Sequence, residues 1–162
     1  MLKYPKNYIK RTETEFKENV NKFLPFEEET AKLMSNILND NNYDLNKNKY
    51  YDIIFNDRDL MIEVKCDRKM NETGNIFIET GYKNRPSGLY ITKAQLICIC
   101  DNNDKYYLIP RIILKELVKN LKLINVDKFF KCGYLLKKEL LLKNSIELNE
   151  WIDNKNSICN IF

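Results

Sequence analysis

Histidine is absent from the 162-residue chain. That absence removes Ser-His and Cys-His nucleophile schemes and any imidazole general base, and it disfavours a zinc site. No apolar run approaches about 18 residues and no signal-peptide pattern is present, so the sequence points to neither membrane nor secretion. Glycine and proline are scarce, at four each, and no repeat, low-complexity tract or linker divides the chain. The expectation is a single domain over 1–162, long enough for a real core. Cysteine is present but gives no framework: the five residues Cys66, Cys98, Cys100, Cys132 and Cys159 are odd in number and form no Cys-x-x-Cys. Buried free thiols in a reducing, cytoplasmic setting are the expected reading. A net charge of +4 permits nucleic-acid binding without demanding it.

What is present concentrates between Tyr50 and Lys65. Tyr50–Phe55 is aromatic and β-branched, Asn56–Asp59 is turn chemistry, and Leu60–Cys66 alternates as a return strand. Leu60, Ile62, Val64 and Cys66 share one face; Met61, Glu63 and Lys65 share the other. A four-residue turn without a bulge places Phe55 opposite Leu60, Ile53 opposite Ile62, and Asp52 opposite Glu63. Lys65 lies two positions along on the same face. Opposed like charges destabilise a sheet, and with Met61 and Ile54 on that face the carboxylates would be half-buried, where unpaired charge is costly. A hard divalent cation held by oxygen ligands turns that penalty into a site.

The chain before the hairpin reads as two helices. Thr12 with Glu15 makes a capping box, and Phe16, Val20, Phe23 and Leu24 form a stripe that ends before Pro25. Lys3, Lys6, Lys10 and Arg11 read as a frayed terminus. Pro25 opens a second helix to about Asn39, with Phe26, Ala31, Leu33, Met34, Ile37 and Leu38 on its apolar face and Glu27 nearest the centre of that face. Glu28 and Glu29 fall on its far side and edge; acids in a first turn also suit the helix dipole. Residues 39–49 read as a polar loop. After the hairpin come a loop to Asn75, a strand over 75–79, a basic turn-rich loop over 80–88, a buried strand over 95–100, and its hairpin partner over 105–109. Pro110 then opens a helix to about Asn120. Beyond it, 123–126 and 129–136 are strand-like, 137–143 is strand or helix, and 147–152 is a short helical turn in which Trp151 packs.

Asp52 followed by Glu63-Val64-Lys65 at the end of an adjacent strand resembles the signature of the PD-(D/E)xK nuclease superfamily. The proline of that name is replaced here by Tyr51. Glu79, Pro86-Ser87-Gly88 and Thr92 extend the resemblance toward small viral, phage and Holliday-junction-resolvase-like members, although Gln95 stands where those often carry an aspartate. The resemblance covers about Phe26 to Ile109. It implies an α/β fold with a central mixed β-sheet flanked by helices, restriction-endonuclease-like in its core at about 26–109, and a metal-dependent endodeoxyribonuclease. Under it Asp52, Glu63 and the Val64 carbonyl hold Mg²⁺ or Mn²⁺, and Lys65 orients a water or stabilises the phosphate. Glu27, with Glu29 in reserve, holds a metal-bound water, and Glu79 is a weaker candidate for that role. Lys83, Arg85 and Lys93, with the Ser87 and Thr92 hydroxyls, contact DNA phosphates. A two-fold dimer would cut two strands and a monomer one. The rival expectations are a non-catalytic nucleic-acid-binding protein that keeps the fold, and an exonuclease or nickase. A viral source would place the protein in the host cytoplasm or nucleus.

Overall fold

The computed structural model describes residues 13–45, 50–83, 85–126 and 131–159, with side chains from 24 to 154 within those ranges. The Thr12 cap and the basic segment 1–11 lie outside the described residues, as do the side chains of Phe16, Val20 and Phe23.

The two helices expected before the hairpin are one. Helix α1 runs Glu13–Leu38 with Pro25 inside it. A proline in a helix interior removes one i→i−4 hydrogen bond and crowds the carbonyl four residues back, which biases a helix to end without forcing it to. Helical periodicity runs on past Pro25, and Ala31, Leu33, Met34 and Ile37 are all buried. Packing of that face fixes the continuation.

The segment 39–49 is not all loop. Strand β1, Tyr43–Leu45, pairs antiparallel with β2, Ile53–Phe55, and β2 pairs antiparallel with β3, Leu60–Cys66. The β2–β3 register is the expected one, with Phe55 opposite Leu60 and Ile53 opposite Ile62. The turn is a 3-10 turn over Asn56–Arg58, closed by Asp59 in the left-handed region at φ 48°. Aspartate tolerates that conformation because its short polar side chain can bond locally. The first strand is shorter than expected, since Tyr50 to Asp52 bend before β2 begins.

Beyond β3 come α2 (Met70–Thr73), β4 (Asn75–Tyr82), β5 (Arg85–Pro86), β6 (Leu96–Cys100), β7 (Tyr106–Pro110) and α3 (Arg111–Val118). The chain continues through β8 (Ile124–Val126), β9 (Lys131–Lys137), α4 (Lys138–Asn144), β10 (Ile146–Glu147) and α5 (Leu148–Cys159). The last helix is longer than the single turn expected. The strands form two sheets where one was expected. A six-stranded mixed sheet has the order β1-β2-β3-β6-β7-β10, with β3 and β6 parallel. A four-stranded antiparallel sheet has the order β5-β4-β9-β8. The crossover between the parallel strands β3 and β6 carries α2, β4 and β5, so part of the second sheet occupies the place usually taken by a helix.

The six-stranded sheet is covered on both faces. On one, Ile53, Phe55, Ile62, Cys98, Cys100, Tyr106 and Leu108 meet α1 and Leu148 of α5. On the other, Ile97, Ile99, Tyr107 and Ile109 meet Ile76, Ile78 and Leu136 of the second sheet, Leu114 and Val118 of α3, and Leu141 of α4. The period-two alternation of β6 and β7 therefore feeds two cores at once, which is why both read as continuous apolar runs. Full burial of side chains such as Ile53, Phe55 and Ile62 contributes roughly 1.5–3 kcal/mol each.

Candidate functional site

Strand β3 lies between β2 and β6, so its residues have a fixed neighbour on each side. Its odd-numbered members Met61, Glu63 and Lys65 point away from the α1 core, toward the second sheet. The paired register ends at Ile53 opposite Ile62, and Asp52 lies in a bend just before β2, so the regular opposition to Glu63 expected of an unbulged hairpin is not kept. The Asp52 N–H donates to the Ile62 carbonyl at 2.9 Å, and its Oδ2 accepts the Val64 N–H at 2.7 Å. The carboxylate thus takes a backbone donor of β3 where the β2 ladder ends.

Glu63 is buried at 7% exposure. Its Oε1 is ion-paired with the Lys65 ammonium, and its Oε2 lies 3.4 Å from the Thr92 hydroxyl. Thr92 is itself buried; its hydroxyl donates to the Tyr50 carbonyl at 2.7 Å and accepts the Ala94 N–H at 3.2 Å. That hydroxyl holds the segment before β6 against the segment before β2, directly over the acid pair.

Electrostatics follow from this crowding. Burial pushes the Asp52 carboxyl up, and the Glu63 carboxylate pushes it further; Lys65 and the Val64 N–H pull it back, Glu27 adds to the rise, and the result is about 7. Desolvation pulls the Lys65 ammonium down, but the carboxylates of Glu63, Asp52 and Glu79 more than offset it, and the balance is upward. About half of the Lys65 side chain remains open to solvent, against a tenth of Glu63.

Glu27 is close enough for its charge to act on Asp52. Glu29 pairs with Lys32 at 3.8 Å, and its charge acts on Tyr106. Glu79 on β4 accepts the Ser87 hydroxyl at 2.7 Å and the Lys131 ammonium of β9 at 2.5 Å, and its charge reaches Lys65. Asp52, Glu63, Lys65, Glu27 and Glu79 therefore form one electrostatic cluster.

The basic residues are dispersed. Arg85 is exposed and pairs in register with Tyr82, beyond Glu79 on β4. Lys83 is left-handed at φ 50°, with its ammonium 4.9 Å from the Tyr82 ring. Lys93 is exposed, with its ammonium 4.7 Å from the ring centre of Tyr50. The hydroxyls of Ser87 and Thr92 already serve Glu79 and Tyr50. Gln95 bridges the start of the parallel pair: its Oε1 accepts the Met61 N–H at 2.8 Å and its Nε2 donates to the Asp59 carbonyl at 2.9 Å. It sits at the opposite end of β3 from Lys65 and acts as a backbone clasp.

Two residues escape sequence reasoning. Lys131 neutralises Glu79 from a strand far along the chain, and no local pattern marks it. Asp67 accepts the Phe77 N–H at 3.1 Å and the Lys69 N–H at 2.9 Å, holding the β3–β4 connection over the same space; its only signal was a polar residue after the Glu-Val-Lys triplet. Between the two sheets, beside Glu63 and Lys65, lies a cavity of about 210 Å³. It is lined by Ile76, Ile78, Leu89, Ile97, Ile99 and Leu114 and by charged residues including Glu79 and Lys131.

Among the described residues, no three Asp, Glu, Cys or His side chains converge as a ready-made metal cage. Asp52 and Glu63 supply two neighbouring carboxylates, and burial first, then the Glu63 charge, pushes the Asp52 carboxyl up despite Lys65. A hard cation that keeps several waters needs few protein oxygens, so this pair fits Mg²⁺ or Mn²⁺ in charge and donor type. No helix among the described residues is long and apolar enough to cross a membrane. Comparison with protein-family models, with curated proteins and with solved structures finds no match for this chain.

Proposed function

We propose that the chain is a divalent-metal-dependent nuclease that hydrolyses DNA phosphodiester bonds, cutting internally. The observation that carries this reading is the meeting of three charged groups at the end of the β2–β3 hairpin: Asp52 accepts the Val64 N–H, Lys65 is ion-paired with Glu63, and the charges of both act on Asp52. The mixed sheet with an acidic hairpin beside a parallel strand adds to it.

Asp52, Glu63 and the Val64 carbonyl would hold Mg²⁺ or Mn²⁺, which when bound lowers the pKa of a water and offsets charge on the phosphate. The chain's own residues do the rest. Lys65, kept protonated by three carboxylates, presents a fixed positive charge to the phosphoryl oxygens as charge develops there. The Lys65 ammonium and the Val64 N–H hold Glu63 and Asp52 in place, so little reorganisation is needed. Glu27, whose charge reaches Asp52 from α1, would orient an attacking water. Exposed Lys93, with Lys83 and Arg85 further out, would contact phosphates along the strand.

The test is incubation with branched, duplex and single-stranded DNA in Mg²⁺, Mn²⁺ or chelator. Cleavage should need the metal. Lys65→Met keeps the packing of the stem and removes the charge; it should retain DNA binding and lose about 10²-fold or more in cleavage rate. Full activity in Lys65→Met would exclude the mechanism. A wild type that binds DNA and cuts no form of it would make this a binding module whose acid pair serves only the structure.

A further inference from the structure

The cavity between the sheets opens beside Glu63 and Lys65 and is closed by side chains from β4, β6, α3 and the turn at Gly88–Tyr90. Its volume of about 210 Å³ limits what it can take. A cavity of about 150 Å³ lined by Leu, Ile and Phe accepts benzene, whereas drug-sized molecules need roughly 300–1,000 Å³. One flat ring system fits between those limits. Aliphatic side chains and Phe77 line the cavity, suited to the faces of such a ring, and the charged lining residues include the ion pairs Glu63–Lys65 and Glu79–Lys131. An ionised carboxylate has about four lone-pair sites and an ammonium three donors. Glu79, with Ser87 and Lys131 bound, therefore keeps accepting capacity, and Lys131 keeps donors.

We propose that this cavity receives one nucleobase swung out of the strand, at the nucleotide whose phosphate lies over Asp52, Glu63 and Lys65. The inference rests on the nuclease reading and narrows it: the preferred substrate is DNA whose bases leave the stack at low energy, single-stranded, mismatched or branched, because unstacking is the main penalty of extrusion. The ring faces lie against Leu89, Ile97 and Ile99, while the Watson–Crick edge meets Glu79 and Lys131. The two ammonium groups flank the path of the backbone.

The experiment is methyl NMR on Ile- and Leu-labelled protein in chelator, titrated to millimolar levels with deoxyadenosine 5′-monophosphate, thymidine 5′-monophosphate or deoxyribose 5-phosphate. Both nucleotides should shift the methyl signals of Leu89, Ile97 and Ile99, and the sugar phosphate should leave them in place. Leu89→Phe, which fills the cavity, should abolish the shifts; Leu89→Met, of nearly equal volume, should retain them and so control for folding. Cavity methyls that stay still, or that respond equally to the sugar phosphate, would overturn the proposal. Because chelator is present, the result is independent of cleavage. An active nuclease with silent methyls loses the base pocket alone, while shifted methyls in a protein that cuts no DNA keep the pocket and retire the nuclease.

Discussion

Asp52 is the residue whose charge is most at odds with its surroundings. Its carboxyl rises from the ordinary value near 3.8 to about 7. Between those values the folded protein binds more protons than the unfolded chain, so stability falls as pH rises from about 4 to about 7 and then levels off. Asp52→Asn keeps an oxygen for the Val64 N–H and cannot ionise. The variant's melting temperature should change less over that range than the wild type's, and at pH 8 it should be the more stable protein, by a few kcal/mol at most. A wild type that gains stability from pH 5 to 8 relative to the variant would contradict the buried acid pair. The pairing of Ile53 with Ile62 and of Phe55 with Leu60 was legible because turn length and period-two alternation determine a hairpin register locally; the bend at Asp52 that ends this register was not. Neither was the Glu79–Lys131 pair, because its partners sit on strands β4 and β9, far apart in sequence, and nothing near either residue names the other. Thr92 was singled out as a hydroxyl beside basic residues; only the fold shows it spent on the Tyr50 carbonyl above Glu63.

At the scale of elements, α1 and the turn at Gly88 make separate predictions. Pro25 interrupts a 26-residue helix, and an interior proline costs about 3 kcal/mol or more in an unstrained helix. Pro25→Ala should therefore raise the unfolding free energy by about 1–3 kcal/mol, read as a higher denaturant midpoint with an unchanged slope. A loss of stability would mean that the helix ends at residue 25. Gly88 has φ +50°, and a Cβ there would lie 2.3 Å from the Glu79 carbonyl oxygen. Gly88→Ala should cost about 2 kcal/mol or more, since left-handed strain and a backbone clash add. It should also disturb Glu79 and the cavity wall at Leu89, and a neutral substitution would show that this turn is looser than its geometry. Most elements could be read from alternation and punctuation. The merger at Pro25 could not, since proline biases a boundary that packing can override. Strand β1 was hidden because Tyr43–Leu45 is only three residues long, too short for a periodic signal.

For the whole molecule, the placement of cations decides how DNA would be gripped. Lys83 and Arg85 stand at the β4–β5 end of the second sheet, while Lys93 stands over the Tyr50 ring. If both regions touch the backbone, Lys83→Ala with Arg85→Ala should weaken binding and reduce the salt dependence by about one unit of slope per lost phosphate contact, measured by titration at several salt concentrations. An unchanged slope would assign both to a solvated surface. The α/β class was legible from the order of helix, hairpin and apolar strands, whereas the division into two sheets was not: alternation tells a strand which face is buried, never which strand lies beside it. The β4–β9 pairing also orders events during synthesis. The hairpin of β2 and β3 can close as soon as it leaves the ribosome, but β4 must wait for β9, and at about 5–20 residues per second the roughly 50 residues between them take several seconds to make. For that interval Ile76 and Ile78 have no sheet partner at their side. A chain stopped before Lys131 would carry every member of the acid pair and its lysine, yet the wall that gives those charges an enclosed space would never have been built.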